Sequence, residues 1–201
     1  MKLMSSAELY GYWNALRGAR AAPDRGDVDP GALGAILADT FLLDLDERNA
    51  FPFRIAGSRA NALFARELRG MSFLEIWREA DREKVTSVLQ SAAEQAKPYF
   101  LAGESWLSGL SSLEVEATLL PLRQGHSHSR LLGSIAADEW PEELGLVGIG
   151  PLSLISIDKL PAPDREGSAP VQRETAPPGG AHYIRNRVSC LKREEEARSR
   201  C

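Results

Sequence analysis

The apolar period of this chain changes at Gly57, and that change constrains the fold more than any other feature. In the stretch FPFRIAGSRANALFARELRGMSFLEIW, Phe51 to Trp77, the residues Phe51, Phe53 and Ile55 alternate with Pro52 and Arg54 as on a half-buried strand. Pro52 stands near the strand start, where a missing N–H does little harm. Beyond Gly57 the period is about 3.6. Ala60, Leu63, Phe64 and Leu68 then share one helical side, with Ser58 placed to cap the helix and Gly70 to stop it. A segment that turns so quickly from strand to helix to the aromatic turn MSFLEIW must close its apolar faces around a shared interior.

The flanking segments supply the rest of that enclosure. TFLLDLD, joined to FPFRIAG through ERNA, predicts a hairpin. DREKVTSVLQSAAEQAK predicts the longest helix: Val85, Val88, Leu89, Ala92 and Ala96 form its stripe, Asp81 and Glu83 sit at its positive end, and Pro98 bars continuation. Three strands follow, in YFLAGESWLS, SSLEVEATLLPLR and SRLLGSIAAD. In the middle one Leu113, Val115 and Ala117 predict a buried face, and Glu114, Glu116 and Thr118 a wet one. Upstream, Leu9, Tyr12, Trp13 and Leu16 recur at helical spacing before Gly18. DVDPGALGAIL then predicts a short helix capped by Asp29 ahead of Pro30, burying Leu33, Ile36 and Leu37.

Two strands, then helices, then three strands indicate α+β, with a five-stranded antiparallel sheet packed by helices on one face. The expected organisation is an N-terminal helical extension over 1–38, a domain over 39–158, and a disordered tail over 159–201 rich in Pro, Gly and charge. A length of 201 residues suits one domain plus such a tail. The net charge of -4 argues against a general nucleic-acid binder, which needs a basic surplus. The N-terminus has no apolar signal stretch and no run reaches the ~18 apolar residues of a membrane span. Cys190 and Cys201 lie in the tail, leaving a thiol-free core. The expectation is a soluble, cytoplasmic protein without membrane or nucleic-acid partners.

FLLDLD, FPFRIAGSRANALFARELRGMSFLEIW and the helix from Asp81 to Lys97 with its three following strands together resemble the PAS fold. The chain is similar in particular to bacterial PAS-like proteins of about this length, common in alphaproteobacteria, in which helices like ELYGYWNALRG and DVDPGALGAIL precede the core. The similarity covers about residues 8 to 140. It implies a non-enzymatic sensory or protein-interaction module, homodimeric, with a small-molecule ligand and a separate signalling protein as the partners to look for. It names no ligand. Cysteinyl-flavin photochemistry needs a core cysteine, and none lies between Met1 and Ser189; haem needs an axial ligand, and Asp81 to Lys97 has no histidine. Neither cofactor is expected.

Within that frame the expected ligand-binding residues are Phe53, Arg54, Ser58, Asn61, Phe64, Trp77 and Trp106, around the strand-to-helix change where a pocket would open. Phe51, Phe73 and Tyr99 could line the same pocket or fill it, Arg66 could orient a ligand, and Asn61 could instead bond local backbone. Leu9, Tyr10, Tyr12, Trp13 and Leu16 are the expected dimer or partner surface, packing on their own sheet, a second subunit or a partner. No catalytic or metal site is expected: His126 and His128 lack a third ligand nearby, no G-x-S-x-G elbow is present, and Glu114 and Glu116 read as solvated. GLVGIGPLS lacks phosphate-loop spacing and reads as a strand or connection. The mixed charge of Arg185, Arg187, Lys192 and Arg193 with Glu194, Glu195 and Glu196 reads as solvated tail. Two other functions stay open: a ligand-free adaptor with a filled core, and a steroid-isomerase-like enzyme using Asp44 or Glu75.

Overall fold

The computed structural model describes residues 3–45, 50–107, 111–125, 127–141 and 147–161. All fall in one unit, Met1–Arg165; the second, Glu166–Cys201, lies outside the described residues with both cysteines, and of the expected tail over 159–201 only 159–161 are described, where Lys159 ends a strand and Leu160 is buried. The helices are α1 (Met4–Arg17), α2 (Ser58–Leu63) and α3 (Glu79–Gln95), with 3-10 segments at Arg25–Asp27, Pro30–Asp39 and Phe73–Ile76. The strands are β1 (Thr40–Asp44), β2 (Phe53–Ala56), β3 (Tyr99–Leu107), β4 (Ser111–Gln124), β5 (Ser127–Ala137) and β6 (Ser153–Lys159). They form one antiparallel sheet in the order β2-β1-β5-β4-β3-β6.

The expected α+β architecture with a helical N-terminal extension is what the chain adopts, and two details differ. The sheet has six strands, because the segment after GLVGIGPL continues as SLISIDK and pairs with β3. Helical structure also covers both faces. On the inner face, α2, Phe73–Ile76 and α3 bury Leu63, Phe73, Val85 and Leu89 against Phe41, Leu101, Val115 and Ile135. On the outer face, α1 and Pro30–Asp39 contribute Leu9, Trp13, Leu33 and Ile36 to a second cluster with Leu42, Leu120, Leu122 and Leu132.

Local chemistry explains most element ends and corrects two expectations. Asp29 caps Pro30–Asp39 by accepting from the Gly31 N–H at 2.9 Å, as its place before Pro30 predicts. Ser58 is the first helical residue of α2 and Gly57 its cap. The helix stops at Phe64, not Gly70, because Ala65 takes a φ of 47° and turns the chain away. The α3 stripe is buried as its period requires, and Ala96 closes the helix in the left-handed conformation ahead of Pro98.

One irregularity decides what the outer face presents. Leu42 pairs with Ile55 while the next residue, Leu43, pairs with Phe53, so an extra residue is accommodated in β2. Phe53 therefore points into the inner core and Ile55 out over the opposite face, where it is 53% exposed. The unbroken alternation of Phe51, Phe53 and Ile55 had placed all three on one side.

Candidate functional site

The strand-to-helix change gathers the expected aromatics into the inner core. Phe53, Phe64 and Trp77 are buried there with Phe51, Phe41 and Phe73. The rings touch: Phe41 meets Phe53 edge-on at 5.4 Å, Phe53 lies 5.6 Å from Phe73, and Phe73 lies 6.1 Å from Trp77. They pack on one another, and the buried Trp77 indole N–H has no acceptor.

The expected polar residues do not converge on that interior. Arg54 is exposed and pairs with Asp44 at 3.3 Å; Ser58 and Arg66 are exposed; Trp106 is 51% exposed at the far end of β3. Asn61 accepts from the Leu68 N–H at 3.1 Å and donates to Glu67 at 3.3 Å, holding the loop after α2. Asn61→Ala is expected to lower stability by about 1–2 kcal/mol, because the N–H of buried Leu68 loses its acceptor. Thermal unfolding would measure it; an unchanged midpoint would show that the loop is held by other means.

The carboxylates named for acid–base work are committed elsewhere. Asp44 accepts from Arg130 at 2.8 Å as well as from Arg54, and Glu75 closes a capping box with Ser72. No three His, Cys, Asp or Glu side chains gather as a metal site among the described residues, and the His126 and His128 side chains lie outside them.

The outer face holds α1. Leu9 and Trp13 are wholly buried, and the Trp13 indole donates to the Pro121 carbonyl at 2.8 Å, stacks on Tyr10 at 6.3 Å and carries the Arg17 guanidinium 5.3 Å over its ring. Tyr10, Tyr12 and Leu16 are partly exposed beside them. Leu9 and Trp13 thus pack on the chain's own sheet, and Tyr10, Tyr12 and Leu16 keep part of their surface open.

Under the first turn of α1 the floor is polar. Glu116 is only 2% exposed and accepts from the Leu3 N–H at 3.1 Å, and Thr118 and Ser134 share a hydrogen bond of 2.9 Å. The face expected to be wet is thus the seat of a helix. Alternation reports that a face is polar; it does not report what lies on it. Glu116 also supplies what α1 lacks, since its N-cap Leu3 has no side-chain cap and its first turn no acid.

Beside Pro30–Asp39 the outer face opens into an apolar groove of about 310 Å³. Its floor includes the cross-strand row Ile55, Leu42, Leu132, and its wall is Pro30, Leu33 and Leu37. Arg25 stands on its lining with the Nε–H shut from solvent and donating to nothing. Sequence reasoning missed this groove. The signal was present in DVDPGALGAIL, whose aliphatics exceed what one buried helical face can use: Leu37 remains 43% exposed.

An antiparallel sheet whose inner face is closed by short helices and one long helix defines an α+β module of the PAS class. A family model described as PAS domain matches residues 1–136, and the chain belongs to that family. The match includes α1. No curated protein and no solved structure matches the chain. Membership makes it a sensory or interaction module in the general sense, of a class that is generally non-enzymatic. No helix among the described residues is long and apolar enough to cross a membrane.

Proposed function

We propose that this chain is a non-catalytic cytoplasmic PAS module that works by binding, with α1 as its movable output element and a separate signalling protein or second copy as its receiver. The observation that carries this reading is the divided seat of α1. Its middle is held by Leu9 and Trp13 in an apolar cluster, while its start rests on Glu116 and the Thr118–Ser134 pair, where Ser6 Oγ is buried without a partner. A helix held this way has a weak end from which it opens. Lifting it offers Leu9 and Trp13, together with Tyr10, Tyr12 and Leu16, to a receiver. The mutually packed rings of the inner core favour a second reading, a ligand-free adaptor, for that compartment.

Hydrogen exchange followed residue by residue tests the output element. Amides of α1 are expected to exchange through a local opening, well before those of α3. Glu116→Gln, which removes the charge facing the start of α1, is expected to speed exchange at its first turns roughly fivefold. If α1 and α3 exchange only together, through global unfolding, α1 is not a separable element and the proposal falls.

A further inference from the structure

We propose that the outer-face groove is a binding site for a single-chain amphiphilic carboxylate, with the acyl chain on the Ile55–Leu42–Leu132 floor and the head group on Arg25. Among the described residues, Thr40 and Arg25 are the only ones with polar side chains on a lining otherwise built from aliphatic residues, Phe41, Pro30 and Gly57, and no acid is among them. The exposed rim residues Ile55 and Leu37 leave this part of the second core open to solvent, whereas Leu33, Leu42, Leu122 and Leu132 beneath are buried. A volume of about 310 Å³ lies at the small end of ligand clefts, which suits one slim chain better than a ring-rich cofactor.

Arg25 assigns the head group. Its half-exposed guanidinium is the cation on this lining, and a carboxylate placed against it forms a charge-assisted pair that no acid among the described residues supplies. The neighbouring acids are already taken. Asp24 binds Arg123 twice at 2.7 Å and Arg20 at 2.9 Å, and Asp27 binds Arg20 at 2.7 Å. The hydrogen bond from Arg123 holds the Asp24 carboxyl below the usual carboxylate range, so it stays ionised on that partner. Among the described residues of this corner Arg25 is left as the cation without a carboxylate, on the lining of an apolar slot.

This ligand class deepens the proposed signalling role and, for its effect on α1, rests on it. Leu33, Leu42, Leu122 and Leu132 belong to the same buried cluster as Leu9 and Trp13, so a chain in the groove touches the packing on which α1 depends. It shifts α1 only if it fits one seating of the helix better than the other.

The test is calorimetric titration of the full chain with octanoate, decanoate and dodecanoate below their micellar concentrations, and with dodecanol as the neutral control. Affinity is expected to rise about fourfold per added methylene until the groove is filled. Arg25→Gln should weaken dodecanoate about tenfold and leave dodecanol unchanged. Leu37→Trp, a change at an exposed position on the rim, should abolish binding of both without shifting the unfolding midpoint. Absence of binding, affinity independent of chain length, or binding untouched by Leu37→Trp would overturn the site. Hydrogen exchange of α1 is read in parallel. Groove binding with no change in α1 keeps the site and sinks its link to signalling, while an α1 that opens locally in a chain that binds no carboxylate sinks the site alone.

Discussion

Gly133→Ala is expected to cost about 3 kcal/mol or more and to lower the unfolding midpoint by roughly 10 °C. Gly133 lies on β5 opposite Phe41 of β1, with the Phe41 ring laid over its backbone. An added Cβ would stand 2.2 Å from the ring's Cζ and 2.3 Å from the Thr118 carbonyl oxygen. A ring can turn aside. The carbonyl belongs to β4 and cannot move without disturbing the sheet. The ring is not free to turn cheaply either, because Phe41 packs against Phe53 at 5.4 Å and Phe73 at 5.5 Å in the filled interior. Denaturant unfolding of Gly133→Ala, Phe41→Leu and the double variant separates the two clashes. The double variant should recover only part of the loss, since the carbonyl remains. A loss under about 1 kcal/mol for Gly133→Ala would show that the interior has slack, and would reopen the inner core as a place for a ligand.

The same residues mark what the sequence made legible. Periodicity found the hairpin, the switch at Gly57 and the stripe Val85, Val88, Leu89, Ala92, because each reflects one element facing one core, while Ala96 at the end of the stripe joins the outer cluster. It failed where an element's surroundings break the simple pattern. The bulge between β1 and β2 carries no composition signal, so Ile55 was assigned to the wrong face and the groove went unseen. Glu116 and Thr118 read as wet because a helix laid over a strand leaves no trace in that strand. Arg25 drew no notice, since an arginine among Asp24, Asp27 and Arg20 looks paired until the distances show which cation each acid holds. The strand-to-helix change is filled by its own aromatics; the open groove lies on the outer face between Pro30–Leu37 and the strand residues Leu42, Ile55 and Leu132.

Trp13→Ala should cost about 3–5 kcal/mol, and the loss should fall on α1 before it reaches the rest of the domain. Trp13 is the largest side chain in the outer cluster, and its removal also leaves the Pro121 carbonyl without its donor and Arg17 without the ring beneath it. The sheet stands between that cluster and the inner core, whose ring contacts and whose α3 residues Val85, Val88, Leu89 and Ala92 do not include Trp13. Amides of Leu9 to Arg17 are therefore expected to approach the exchange rates of an unfolded segment, while those around Val85 to Ala92 keep their protection. Far-ultraviolet circular dichroism should lose helix in proportion to α1 alone. Trp13→Phe, which keeps the ring but not the indole N–H, should fall between the two, near the cost of one buried hydrogen bond, about 1–2 kcal/mol. If Trp13→Ala instead unfolds the whole domain in one transition, α1 is a structural member of the fold and no signal can travel by its release. If it opens α1 alone, the helix is separable from the rest of the domain, as an output element must be, and a receiver that reads the Trp13 ring should bind this variant more weakly than the parent chain.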